Sequence, residues 1–261
     1  MYRSTAFHIL AAALAILAVT IPGLSQPEDT ASLQSQTPAA ASNIVIGFVG
    51  GLAGDGDPHQ GPVRLAQQIR HTVPKDTYIQ VFENRRRKLA YNTVIRLLDA
   101  NHDGKLSAEE KSGARIVLFG YSWGAAAAVL LARDLQREGI PVLLTAQVDS
   151  VAKMGKDDSV IPDNVAAAVN FYQPHGIIHG RKKITAADPA KTQILGNYRM
   201  DYRKNPIVCP DVAWVDRLFV HGHIQSECDP RVWSQIGDMV KLRLSPSTTA
   251  AAVSAPANPQ P

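Results

Sequence analysis

The stretch from Arg115 to Ala128, Arg-Ile-Val-Leu-Phe-Gly-Tyr-Ser-Trp-Gly-Ala-Ala-Ala-Ala, leaves this chain few folds to adopt. A short β-type run, Ile116 to Phe119, gives way to an alanine-rich helical pattern that continues through Leu130 to about Arg137. Only Gly120-Tyr121-Ser122-Trp123-Gly124 lies between them. A strand that becomes a helix over so short a turn needs small residues two before and two after the serine, because a side chain there would collide with the closing elements. With 18 glycines in the chain, a bare Gly-x-Ser-x-Gly arises by chance in roughly one sequence in ten of this length. Its position between a buried strand and a long helix gives the pattern its meaning, with Ser122 exposed at the tip.

The rest of the chain alternates in the same way. Asn43 to Val49 is a continuous β-branched run of the kind covered on both faces. Gly61 to His71 has helical spacing, with Pro62 in its first turn. Thr77 to Phe82 reads as a strand, Arg87 to Leu98 as a helix, and Ile140 to Val148, Ala166 to Tyr172 and Thr192 to Gly196 as further strands. A final helix is expected from Pro230 to about Lys241. Strands alternating with helices predict an α/β fold: a mostly parallel sheet of about six strands with helices on both faces.

The termini differ in composition. Residues 1–25 have a basic start at Arg3, an apolar run from Ile9 to Ile21 and a small-residue site near Ser25, the pattern of a cleaved secretory signal. The run is too short for a stable membrane span, so a secreted or periplasmic location is expected. Residues 26–42 read as a disordered linker and 245–261 as a disordered tail, which leaves 43–244 as the folded domain. Two cysteines, Cys209 and Cys228, permit one disulfide in an exported protein. The basic clusters Arg85-Arg86-Arg87-Lys88 and Arg181-Lys182-Lys183 read as a solvated face, and no nucleic-acid module is recognisable. The sequence leaves the oligomeric state open.

Asp99 to Glu110 fits a twelve-residue EF-hand calcium loop. Oxygen-bearing side chains stand at positions one, three and five (Asp99, Asn101, Asp103), glycine at six, and Lys105 offers its carbonyl at seven. Ser107 fills position nine and Glu110 supplies two oxygens at twelve. Calcium takes six to eight oxygens, and this spacing wraps them around one point. Residue frequencies would produce such a match by chance in fewer than about one chain in a thousand. The loop precedes the strand whose far end carries Ser122, so a Ca2+ ion there is expected about 15 Å or more from the serine, as structural support.

Side chains at the C-terminal edge of a parallel sheet line its crevice. Ser122 and Asp149 both fall there, and the glycine-rich Gly50 to Gly56 follows the first strand at the same edge. Such a loop brings backbone N–H groups close to a substrate, so the N–H of Gly51 or Leu52, with that of Trp123, is a candidate oxyanion hole. Tyr172, Gln173 and His175 are placed to line the cleft. His221 and His223, on an expected loop before the last helix, stand where a general base falls in the chain order Ser, Asp, His.

On Gly120 to Gly124, Asp149 and this histidine segment, residues 43–244 resemble the α/β-hydrolase superfamily in a compact form, with the calcium loop as an insertion the superfamily does not generally share. The segment His223-Ile224-Gln225-Ser226-Glu227-Cys228-Asp229-Pro230 resembles one in small bacterial hydrolase-like proteins in which a histidine stands six residues before an Asp-Pro; that register implies His223 over His221. The superfamily's acid more often follows the second strand after the nucleophile, whereas Asp149 follows the first, so Asp201 and Asp216 stay in reserve. The resemblance implies an exported serine hydrolase of the esterase, lipase or thioesterase kind, acting on a small-molecule or lipid ester through Ser122, His223 and Asp149. Acyl transfer to an acceptor other than water uses the same residues. The competing reading is an inactive α/β scaffold that binds calcium or an envelope partner.

Overall fold

A computed structural model of the protein describes residues 43–209 and 221–245. The expected signal segment, the linker, the tail beyond Ser245 and the reserve acid Asp216 lie outside the described residues. Strands β1 (Asn43–Val49), β2 (Tyr78–Glu83), β3 (Arg115–Tyr121), β4 (Leu144–Val148), β6 (Ala167–Tyr172) and β8 (Gln193–Arg199) form one sheet in the order β2-β1-β3-β4-β6-β8. Every pairing in it is parallel. Two short strands, β5 (Val160–Ile161) and β7 (Thr185–Ala186), pair separately.

The period-two alternation of the central strands sorts their side chains to two faces. Val45, Val117, Phe119 and Tyr121 point to one face, where α1 (Gly61–Ile69) and the last helix, α6 (Pro230–Leu244), cover them through Leu65, Ile69, Val232 and Ile236. Ile44, Ile46, Ile116 and Leu118 point to the other, under α2 (Arg87–Leu98) and α4 (Trp123–Arg137), through Val94, Leu98, Leu131 and Leu135. Helices therefore cover both faces, as the alternation of elements predicts. No helix among the described residues is long and apolar enough to cross a membrane.

Several boundaries differ from expectation. β4 starts at Leu144 rather than Ile140, because Pro141 has no N–H for a ladder and Val142 makes only an isolated bridge to Val165. β8 extends to Arg199, past a register shift opposite Ala168 and Val169. The segment expected as a loop around His223 is helical, α5 (His221–Cys228). Its sequence lacks an apolar stripe, so tertiary ties define it: Cys228 is bonded to Cys209 with their Cα atoms 5.6 Å apart, and the Ile207 N–H donates to Gln225 Oε1 at 2.6 Å.

The chain runs outward from β1 to β2, then returns across β1 to lay down β3, β4, β6 and β8. The strand order thus reverses between β1 and β3, and in open parallel sheets ligands bind beyond the strand ends at such a point.

Candidate active site

Ser122 is the residue between β3 and α4, at φ 55° and ψ −123°, a backbone region that costs a non-glycine residue of order 1–3 kcal/mol. The surroundings hold it there. Its N–H donates to Val148 O at 2.9 Å, and its carbonyl accepts from Ala125 N at 3.0 Å and Val151 N at 3.3 Å. The two flanking glycines are sterically required, though for different neighbours. A Cβ on Gly120 would overlap the backbone of Gly124, and a Cβ on Gly124 would overlap the carbonyls of Phe48 and Val49 at the end of β1. The second clash is with the adjacent strand, which no reading of the turn alone reveals.

Asp149 continues β4, whose end lies level with that of β3 through the pairing of Tyr121 with Val148. It too has a positive φ, 43°, and it is fully buried. All its acceptor capacity is directed. Oδ1 accepts from the N–H groups of Gln173 at 3.0 Å and Gly180 at 2.6 Å; Oδ2 accepts from Gln173 Nε2 at 3.0 Å and stands 2.6 Å from His223 Nδ1. Gly180 is needed for this approach, because a Cβ there would run into the Asp149 carboxylate. His223 Nε2 lies 2.9 Å from Ser122 Oγ, which completes a continuous line from carboxylate through imidazole to hydroxyl.

The imidazole is fixed from several sides. Its ring stacks on Tyr121 with centroids 4.8 Å apart, the Tyr121 hydroxyl donates to the His223 carbonyl at 2.9 Å, and Ser226 Oγ donates to the same carbonyl at 2.6 Å. Burial holds the Tyr121 phenol well above its usual range, so it remains a donor. Of the residues expected in the cleft, Gln173 serves as a clamp on Asp149, and His175 sits 3.4 Å from Asp201. The reserve acid Asp201 thus faces His175, and the carboxylate at His223 Nδ1 is that of Asp149. The side chain of His221 is outside the described residues.

On the other side of Ser122, the Gly50-Gly51 turn ends β1. A Cβ placed on Gly50 would stand 3.1 Å from that of Ser122, so Gly50 makes the close approach next to the expected Gly51 and Leu52. Gly51 has φ 48° and Leu52 is exposed. Trp123 opens α4, where its N–H has no intrahelical acceptor. Sequence reasoning missed Asn84. This buried residue after β2 donates Nδ2 to Gly51 O at 2.6 Å and to Val49 O at 3.3 Å, fixing the turn, while its Oδ1 accepts from Lys153 Nζ at 2.8 Å. An Asn between a strand and a basic run gives no periodic signal.

No family model matches this chain, and no curated protein matches it. Likeness to solved structures is slight in sequence and in superposition. A thermostable esterase from Pseudomonas putida is similar at a TM-score of 0.42 and 10% identity, covering 78% of this chain and 75% of that one. The thioesterase RedJ of the prodiginine pathway in Streptomyces coelicolor is similar at 0.40 and 12%, covering 77% and 91%. A cutinase-like protein from a Cryptococcus species is similar at 0.37 and 13%, covering 80% and 98%.

The expected calcium loop joins α2 to a short helix, α3 (Ala108–Ser112). Gly104 makes its turn at φ 79°. Asp99 Oδ1 and Oδ2 accept from the N–H groups of Asp103 and Gly104 at 3.2 and 3.0 Å, and Glu110 Oε1 and Oε2 accept from those of Ala100 and Ser107, both at 2.8 Å. Asn101 Oδ1 accepts from Asp103 N, and Asp103 Oδ1 from Lys105 N. The donor set suits a hard cation in kind and order, and hydrogen bonds from Ser107 and Ala100 hold the Glu110 carboxyl below its usual range. The carboxylates are turned to the loop's own backbone; among the described residues no three His, Cys, Asp or Glu side chains are gathered as they would be around an ion.

Glu227, one turn after His223 on α5, has a buried Oε1 without a partner. Burial raises its carboxyl to about 8, with Arg64 and the Gly61 N–H pulling the other way. A group with a raised folded-state pKa stabilises the fold below its unfolded value and loses that contribution as pH climbs through the folded one. Stability should therefore decline between pH 4.5 and about 8. Glu227→Gln is expected to flatten this slope and to melt several degrees above the parent at alkaline pH; parallel melting curves for the two proteins across that range would refute the account.

Proposed function

We propose that this chain is an exported serine hydrolase that cleaves an ester or related acyl bond with Ser122 as nucleophile, His223 as general base and Asp149 as its orienting carboxylate. The observation that carries the reading is the unbroken line Asp149 Oδ2, His223 Nδ1, His223 Nε2, Ser122 Oγ, with spacings of 2.6 and 2.9 Å. Ser122 Oγ attacks the acyl carbon as its proton passes to His223 Nε2, and Asp149 stabilises the resulting imidazolium. The carbonyl oxygen takes up negative charge against the N–H groups of Trp123 and of Gly51 or Leu52. Collapse of this intermediate expels the alcohol or thiol, which leaves with the proton from His223. Water then attacks the acyl-serine, its proton moves to His223, and a second collapse frees the acid and restores the Ser122 hydroxyl.

A fluorophosphonate probe tests this directly. It should label Ser122 and leave Ser122→Ala unlabelled; labelling that persists in the variant places the nucleophile elsewhere. The Cys209–Cys228 disulfide favours an oxidising compartment and so supports export. Recovery of the mature protein with Met1 still at its N-terminus would count against a cleaved signal.

The same proposal gives residues 99–110 a structural Ca2+ ion, held by Asp99, Asn101, Asp103, Glu110, Ser107 and the Lys105 carbonyl. Bound there, the ion would supply positive charge to the carboxylates of Asp99, Asp103 and Glu110, in the segment that leads through α3 into β3. Removing calcium should lower the melting temperature, with the loss of activity following unfolding, and Glu110→Gln should abolish the shift. Loss of activity on chelation with melting unchanged would show that the ion acts on the substrate instead.

A further inference from the structure

Beside Trp123, the residue after the nucleophile, lies a groove of about 500 Å3. Arg85, Arg87, Lys88, Lys153 and Lys156 line it and, among the described residues, no carboxylate does, while Trp123, Leu130 and Met154 supply apolar surface. Two of the five cations are paired with a carboxylate, Arg85 with Glu83 at 2.8 Å and Arg87 with Asp134. The other three are not. Lys153 meets only neutral acceptors, Asn84 Oδ1 at 2.8 Å and the Trp123 ring at 4.9 Å, and Lys88 and Lys156 have no carboxylate partner among the described residues. Like charges gathered around a concave surface repel one another and focus a positive potential into it. Part of the basic run Arg85 to Lys88, expected to be an ordinary solvated face, thus forms one wall of a cleft that Trp123, the residue after Ser122, also lines.

The groove is also coupled to that centre. Lys153 binds Asn84, and Asn84 holds the carbonyl of Gly51 in the turn that flanks Ser122. We propose that the groove receives an anionic group, a phosphate or a carboxylate, borne by the substrate whose acyl carbon lies at Ser122. The lysine and arginine ends supply charge-assisted hydrogen bonds, and Trp123 and Leu130 pack against the apolar portion linking anion to acyl group. This assignment of substrate class rests on the hydrolase reading above.

Matched pairs of probes test it. 4-Nitrophenyl hydrogen succinate against 4-nitrophenyl butyrate places a carboxylate on the acyl side. S-butyryl-4′-phosphopantetheine against S-butyrylpantetheine places a phosphate on the leaving group. In low salt the anionic member of at least one pair should show kcat/KM about tenfold above its neutral twin, falling as ionic strength rises. Whichever pair responds identifies the source of the anion. Lys88→Gln with Lys156→Gln should bring that ratio close to one, whereas Lys75→Gln with Lys241→Gln, outside the groove, should leave it as it was. Equal rates within both pairs, or a preference that survives loss of Lys88 and Lys156, would overturn the proposal. A binding arm separates this failure from that of the hydrolase reading: calorimetry of 4′-phosphopantetheine and of succinate on Ser122→Ala, with and without the two lysines. Lysine-dependent binding in a protein that no fluorophosphonate labels would sink the enzyme and keep the groove; absence of binding to either anion would overturn the groove whatever the labelling.

Discussion

Ser122→Ala is expected to lower kcat/KM toward a simple ester by about 10^5-fold while leaving the fold intact. The size follows from the Ser122 hydroxyl being, among the described residues, the only oxygen within hydrogen-bond distance of His223 Nε2. The fold survives because the serine's structural bonds are made by its backbone, to Val148 and from Ala125 and Val151, and not by Oγ. A third protein sharpens the test. Ser122→Gly loses the same nucleophile but accepts φ 55° without steric cost, so it should be as inactive as the alanine variant and more stable by about 1 kcal/mol. Purified Ser122→Ala that retains activity within tenfold of the parent would falsify the nucleophile assignment.

Asp149→Asn should cost about 10^4-fold in kcat, for a reason peculiar to this site. Two backbone N–H groups, from Gln173 and Gly180, converge on Oδ1. In the asparagine variant the amide oxygen must occupy that position, since an NH2 there would oppose two donors. The NH2 is then turned toward His223 Nδ1, which must become an acceptor. The ring's proton moves to Nε2, the atom that should receive hydrogen from Ser122. The backbone clamp on Oδ1 is kept, Gln173 Nε2 loses its acceptor at Oδ2, and the tautomer is wrong. Asp149→Ala, by contrast, abandons these donors in a buried site and should reduce stability as well as rate. An Asp149→Asn protein with near-parental kcat at neutral pH would show that the carboxylate does not set the ring's proton.

The elements that announce themselves through period or punctuation were legible in the sequence. β1 is apolar from Ile44 to Val49, α1 and α4 carry clear apolar stripes, and the glycine-flanked serine marks the strand-to-helix turn, so the layer arrangement and the positions of Ser122 and Asp149 follow from local pattern. What stayed hidden depends on contacts between distant segments. The α5 helix has no stripe and takes its shape from the disulfide and from Tyr121. Gln173 and Gly180 become meaningful only once their loop folds onto Asp149. Asn84 looks like any polar residue ending a strand until β1 lies beside it. The basic run reads as surface until the segment around Lys153 closes the other side of the groove.

The disposition of the three aligned side chains also sets an order in time. Ser122 and Asp149 end adjacent strands near the middle of the chain, while His223 comes from α5, held to the sheet by Tyr121 and to the end of the preceding described segment by Cys209. A chain growing from its N-terminus thus carries Ser122 and Asp149 well before His223 exists, and a fragment ending before residue 223 lacks the imidazole that the proposed mechanism needs. On the proposed mechanism, competence would arrive with about the last tenth of residues 43–244, so turnover would report the finished chain and truncated or half-made copies would stay silent toward esters they meet on the way.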